Sequence, residues 1–178
     1  MNTEKELYND YSIKKSAIAQ GKQELSFEVS EHFFSNLFDE TEFSGAFKLD
    51  VKIDRNNHVH TFQFQFNGKY AGNCNRCLAP LKLDAVFNEE IIIKETDYPE
   101  GESTDEIIFT ETAEENINIA PLIYEFCRVH FPMRFVHAKE EDCDAQVMEK
   151  LNSAEINHDE SYNGNTDPRW AELSKLKS

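Results

Sequence analysis

Phe47-Lys48-Leu49-Asp50-Val51-Lys52-Ile53, then Asp54-Arg55-Asn56-Asn57, then Phe62-Gln63-Phe64-Gln65-Phe66 is the stretch on which the fold turns. Successive side chains of a strand point to opposite faces. Phe47, Leu49, Val51 and Ile53 therefore share one face, and so do Phe62, Phe64 and Phe66. Asp54-Arg55-Asn56-Asn57 is turn chemistry. The pattern predicts a long antiparallel hairpin with one apolar face and one wet face.

The same reading extends outward. Lys69-Tyr70-Ala71 is still extended chain, so Gly68 is expected to mark a bulge inside a longer strand. Leu81, Leu83, Ala85 and Phe87 alternate again, and Ile91-Ile92-Ile93 ends one more long strand. Upstream, Leu25, Phe27 and Val29 alternate. Ser30 offers a helix N-cap and Glu31 suits a first turn. Phe33, Phe34, Leu37 and Phe38 then fall on one face of a short helix.

Residues 94–116 are acidic and read as a solvated loop holding a short strand at Ile107, Ile108 and Phe109. A helix is expected from near Asn118, with Pro121 in its first turn and Pro132 as its stop. Its apolar face carries Leu122, Ile123, Phe126, Cys127 and His130. A polar helix is expected over 141–151, a linker over 152–165, and a last short helix with Asp167 as N-cap and Pro168 at N1. The expected class is α+β: an antiparallel sheet of long strands, a few short helices packed on one face, an acidic linker and a short C-terminal helix. Residues 1–151 are expected to form one domain, and 152–178 the linker and terminal helix.

The chain has 178 residues, 14 of them Phe, enough for one real core, and a formal charge of −16. Such a chain repels bare nucleic acid, because phosphate affinity comes mainly from Lys and Arg. Basic proteins or a cation are the expected direct partners, and any RNA contact needs a local basic patch or an intermediary. No apolar run reaches the ~18 residues of a membrane span. The N-terminus lacks the apolar stretch of a signal peptide, so a cytoplasmic location is expected. There is no glycine-rich phosphate loop and no G-x-S-x-G, and no small-molecule substrate or enzyme activity is expected.

In a reducing compartment the 4 cysteines read as metal ligands or buried thiols. Cys74-Asn75-Arg76-Cys77, at a tight turn between strands, is half of a tetrahedral zinc site. Cys127 and His130 lie on a helix's apolar face, where Cys packs as a small hydrophobe. His137 and Cys143 sit in a polar segment with no core to serve. Zinc on Cys74, Cys77, His137 and Cys143 is therefore the better metal reading, with packed thiols or a site lost in this chain as its alternatives. A redox role is disfavoured because no helix N-terminus follows the pair to lower a thiolate pKa.

Two further features bear on partners. Asp167, Pro168, Arg169, Trp170 and Leu173 sit in a terminal helix carrying the only Trp, and Trp and Arg are common binding anchors. Folding back onto the sheet is the alternative. Asn75 and Arg76, with Lys69, Lys82 and Arg55, offer a basic patch at one end of the sheet. Scattered solubilising charges are the alternative there.

Cys74-Asn75-Arg76-Cys77-Leu78, followed by Phe131-Pro132 and by Val136-His137 leading to Cys143, resembles the YceD family of large-subunit ribosomal RNA accumulation proteins. Thr166-Asp167-Pro168-Arg169-Trp170 with Leu173 looks like the tail of many members. The resemblance covers roughly residues 20–178. It implies a non-enzymatic role in making or maintaining 23S ribosomal RNA, and so in ribosome biogenesis, with a ribosomal protein or assembly factor as partner. The rival expectations are a metal-dependent RNA-processing enzyme and a zinc-stapled structural adaptor.

Overall fold

A computed structural model describes residues 9–38, 43–97 and 106–154. It divides into two compact units, 1–137 and 138–178.

The first unit contains β1 (Ser12–Lys14), β2 (Gly21–Val29), α1 (Glu31–Phe38), β3 (Ser44–Asn56), β4 (Val59–Asn73), β5 (Pro80–Thr96), β6 (Ile107–Glu111), β7 (Asn116–Asn118) and α2 (Ala120–His130). Strands β2-β3-β4-β5-β6 form one sheet in that order, and β1 pairs with β7 in a separate ribbon. All contacts in the large sheet are antiparallel except β5–β6, which is parallel. The α+β class follows, with long strands and short helices as expected.

The hairpin forms as its alternation requires. Phe47, Leu49, Val51, Ile53, Phe62, Phe64 and Phe66 are all buried, while Lys48, Lys52, Gln63 and Gln65 between them are exposed. Helices α1 and α2 supply the other half of this core. Phe34 of α1 meets Phe47 edge-on at 6.3 Å, and Phe126 of α2 meets Phe64 at 5.2 Å. The Tyr70 hydroxyl donates to the Cys127 carbonyl at 2.8 Å and ties the sheet to α2. Each Phe side chain buried in this way stabilises by about 1.5–3 kcal/mol.

Two local expectations are corrected. Asp54, Arg55 and Asn56 stay in β3, and the turn is Asn57-His58, with Asn57 at φ 54°. Asn tolerates that left-handed backbone better than most residues. Gly68 makes no bulge, because the registers with β3 and β5 run through it unbroken. It is glycine because the strands approach closely there: a Cβ would run into the Ala46 carbonyl and the Phe47 Cα.

The second unit holds a short 3-10 turn, Glu140–Asp142, and α3 (Ala145–Ala154). The Asp144 carboxylate caps α3, accepting the N–H groups of Gln146 at 2.9 Å and Val147 at 3.1 Å. Residues 152–154, expected to open the linker, are instead the end of α3; the rest of the expected linker and the terminal helix lie outside the described residues, as do Asp167, Pro168, Arg169, Trp170 and Leu173. Among the described residues no helix is long and apolar enough to cross a membrane.

Candidate metal centre

Strand β4 ends at Asn73 and β5 begins at Pro80, so Cys74–Ala79 must reverse the chain. The reversal is a tight knuckle. Cys74 N–H donates to the Ala79 carbonyl at 2.9 Å, and Leu78 N–H donates to the Cys74 carbonyl at 2.8 Å. Leu78 closes the turn at φ 61°, a left-handed position that a bulky side chain rarely adopts. Cys74 and Cys77 both point inward, at 0% and 3% exposure.

A second segment meets the knuckle. Asn75 N–H donates to the Phe135 carbonyl at 2.7 Å, and Phe135 N–H donates back to Asn75 Oδ1 at 2.6 Å. This clamp sets His137, two residues on, beside the thiols. Cys77 Sγ lies 3.6 Å from His137 Nδ1, and the donor atoms of Cys74, Cys77 and His137 all fall within 4.8 Å of one another. A tetrahedral zinc with Zn–S near 2.3 Å and Zn–N near 2.0–2.1 Å requires an S···N edge of about 3.6 Å. The observed separation therefore fits an ion between them.

The electrostatics also suit a metal. Burial acts to raise the Cys74 thiol, but hydrogen bonds from the backbone N–H groups of Cys77, His137 and Arg76, with help from the His137 side chain, outweigh it and bring it down to about 5. The Arg76 N–H lies 3.4 Å from Cys74 Sγ. The thiolate is the form that binds metal.

Cys143, in the second unit, is 7% exposed although Glu140, Glu141, Asp142 and Asp144 around it are exposed. Cys127 is in the core as expected: it is fully buried, and burial pushes its thiol up. His130 goes elsewhere, with Nε2 2.6 Å from Glu89 Oε1 and its ring stacked on Phe87 at 4.2 Å.

The basic patch does not assemble as expected. Arg55 sits at the opposite end of the β3–β4 pair from Lys69, and its guanidinium donates to the Lys15 and Ile18 carbonyls. Lys69 pairs with Asp84 and Lys82 with Glu31. Asn75 spends its side-chain oxygen on the clamp. That clamp was not legible in the sequence, because a lone Asn says nothing about a partner sixty residues away.

A family model described as Large ribosomal RNA subunit accumulation protein YceD matches residues 62–177. That is about two thirds of the chain, from within β4 through the knuckle, α2, His137 and Cys143. The chain belongs to the YceD family. The matched stretch starts later than the resemblance first read from residue 20. No curated protein and no solved structure matches the chain. The YceD family is named for RNA accumulation and not for a catalytic activity, and its matched region spans both cysteines of the knuckle.

Proposed function

We propose that this YceD-family protein is a non-enzymatic cytoplasmic adaptor needed for accumulation of 23S ribosomal RNA. It binds a ribosomal protein or assembly factor, and a zinc ion on Cys74, Cys77, His137 and Cys143 holds its fold. Asp167, Pro168, Arg169, Trp170 and Leu173 act as further partner anchors, and contact with RNA is secondary.

The observation that carries the reading is the knuckle within a matched family region. Cys74 and Cys77 are buried, and the Asn75–Phe135 clamp sets the half-buried His137 beside them. Cys143, a buried thiol of the second unit set among exposed carboxylates, is assigned as the fourth ligand. A set of three thiolates and one imidazole is typical of closed, structural zinc, whereas a catalytic zinc keeps a position open for water. That distinction favours the adaptor over the rival reading, a metal-dependent RNA-processing enzyme. The acidic surface suits a basic ribosomal partner and disfavours a direct hold on phosphates.

Depletion of the protein, followed by gradient profiling, tests the role. The expected result is a deficit of large subunits and of 23S relative to 16S RNA, restored by the wild-type chain and not by Cys74→Ser. Normal large-subunit levels after depletion contradict it. Cleavage of precursor RNA by the purified protein with a divalent metal favours the enzyme instead.

A further inference from the structure

Beside the knuckle lies a groove of about 710 Å³, enclosed by the knuckle, the adjoining ends of β3 and β4, and residues 131–135. Phe43, Phe131, Pro132, Met133 and Leu78 line it, and none of its lining residues is charged. Two of these side chains stand in water: Leu78 is 72% exposed and Met133 fully so. Leu78 is also held in a left-handed backbone that glycine occupies at less cost. Grouped large apolar side chains on a surface mark an interaction site, and backbone strain of this kind collects where the side chain has a use.

Charge identifies the occupant. The chain has 34 acidic residues, yet Ala71–Leu81 and Phe126–Ala138, which supply all the lining but Phe43 and Ser44, contain none; Phe43 itself follows Asp39, Glu40 and Glu42 in the sequence. The two segments contain Arg76, Arg128 and Arg134 instead. The Arg128 guanidinium lies 5.8 Å from the centre of the Phe43 ring, which brings a cation to the groove wall. This is an apolar, basic spot on an acidic molecule.

We propose that this groove docks a short apolar segment of a partner protein, one carrying carboxylates beside its apolar anchors. The inference deepens the adaptor reading and rests on it only for the partner being a protein; the carboxylates are a local feature of the docked segment, whatever the charge of the rest of the partner. Single-stranded RNA fits less well. It needs open aromatic faces along a basic track, whereas the Phe43, Phe131 and Phe135 rings are stacked on one another at 4.8 and 5.2 Å. The exposed tips are aliphatic, and Met suits adaptable protein contacts.

The test is a random-peptide display selection on the intact purified protein, followed by anisotropy measurements with the best synthetic peptides. The expected consensus pairs apolar anchors with Asp or Glu. Met133→Glu is expected to weaken binding by about tenfold or more and Arg134→Glu by about threefold to tenfold. Val86→Glu, at an exposed apolar side chain 67% accessible on the polar face of the sheet, leaves binding unchanged. Met133 is fully exposed, so its variant keeps the fold, which circular dichroism and metal content verify. The proposal is overturned if no peptide is selected, if the selected peptides lack carboxylates, or if Met133→Glu binds them equally well. It is also overturned if a single-stranded RNA oligonucleotide displaces them. Should docking fail while depletion still lowers 23S RNA, this inference falls and the adaptor reading stands.

Discussion

Asn75 and Phe135 exchange two hydrogen bonds, at 2.7 and 2.6 Å, and so bind the knuckle to the segment that ends in His137. The pairing resembles one rung of an antiparallel ladder, except that one of its acceptors is a side chain. It fixes the direction of the chain just before His137 and puts Nδ1 within reach of Cys77.

Asn75→Ala leaves the Phe135 N–H of a 2%-exposed residue without its acceptor. A buried donor stripped of its partner costs about 1–3 kcal/mol. Chemical denaturation of the purified chain should show that loss, along with weaker metal retention. Asn73→Ala, at an exposed strand end, is the control and is expected to stay within about 0.5 kcal/mol of wild type.

Leu78→Gly separates strain from use. Relief of the left-handed backbone gains about 1–2 kcal/mol, and the added freedom of glycine in the unfolded chain takes back about 0.4–1 kcal/mol. Stability is expected to hold or rise slightly while peptide binding at the groove falls. A marked drop in melting temperature with binding intact contradicts both expectations.

Gly68→Ala places a methyl against the Ala46 carbonyl and the Phe47 backbone, neither of which can swing away as a side-chain tip could. The strands must part, and overpacking of that kind costs about 1–3 kcal/mol or more. The denaturation midpoint checks it. A neutral outcome would show that the sheet yields locally.

Glu95 gives the fold an acid sensitivity. His60 is fully buried, with Nε2 2.7 Å from Glu95 Oε1, and His58 Nδ1 lies 3.4 Å from Oε2. Burial acts to raise the Glu95 carboxyl, but the His60 hydrogen bond and charge, His58 and Lys15 outweigh it and hold it below its ordinary value. A depressed carboxyl contributes fully above its unfolded pKa, about 4.3, and loses that contribution as pH falls through the folded value. Glu95→Gln is expected to lower stability at neutral pH by about 1.5–3 kcal/mol and to flatten its decline below about pH 4.3. Parallel pH series of unfolding for the two proteins measure this. Equal slopes contradict it.

Much of this fold was legible because strand alternation is a local signal. Phe47 to Ile53 and Phe62 to Phe66 declare a shared face without help from the rest of the chain. The helix ending before Pro132 was legible for the same reason. β1 and β7 were not, because each is three residues long and carries no period. Nor was the parallel placement of β6, which depends on where the chain returns and not on its own residues. At the candidate site Cys74 and Cys77 stand out by spacing, and His137 and Cys143 by polar surroundings that give a core residue no purpose. The Asn75–Phe135 clamp and the strained Leu78 left no trace, since both depend on a backbone path that only the folded chain defines. Gly68 was misread because a glycine inside a strand signals a bulge or a close approach equally, and only the register separates them.

The most direct test of the central claim is metal analysis of the protein purified without chelator, by native mass spectrometry or elemental emission. About one zinc per chain is expected, lost in Cys74→Ser and Cys77→Ser and weakened at least about tenfold in His137→Ala and Cys143→Ser. A wild-type protein that is folded, metal-free and unaltered in stability by added zinc contradicts the site and leaves the four side chains as packed thiols and a histidine.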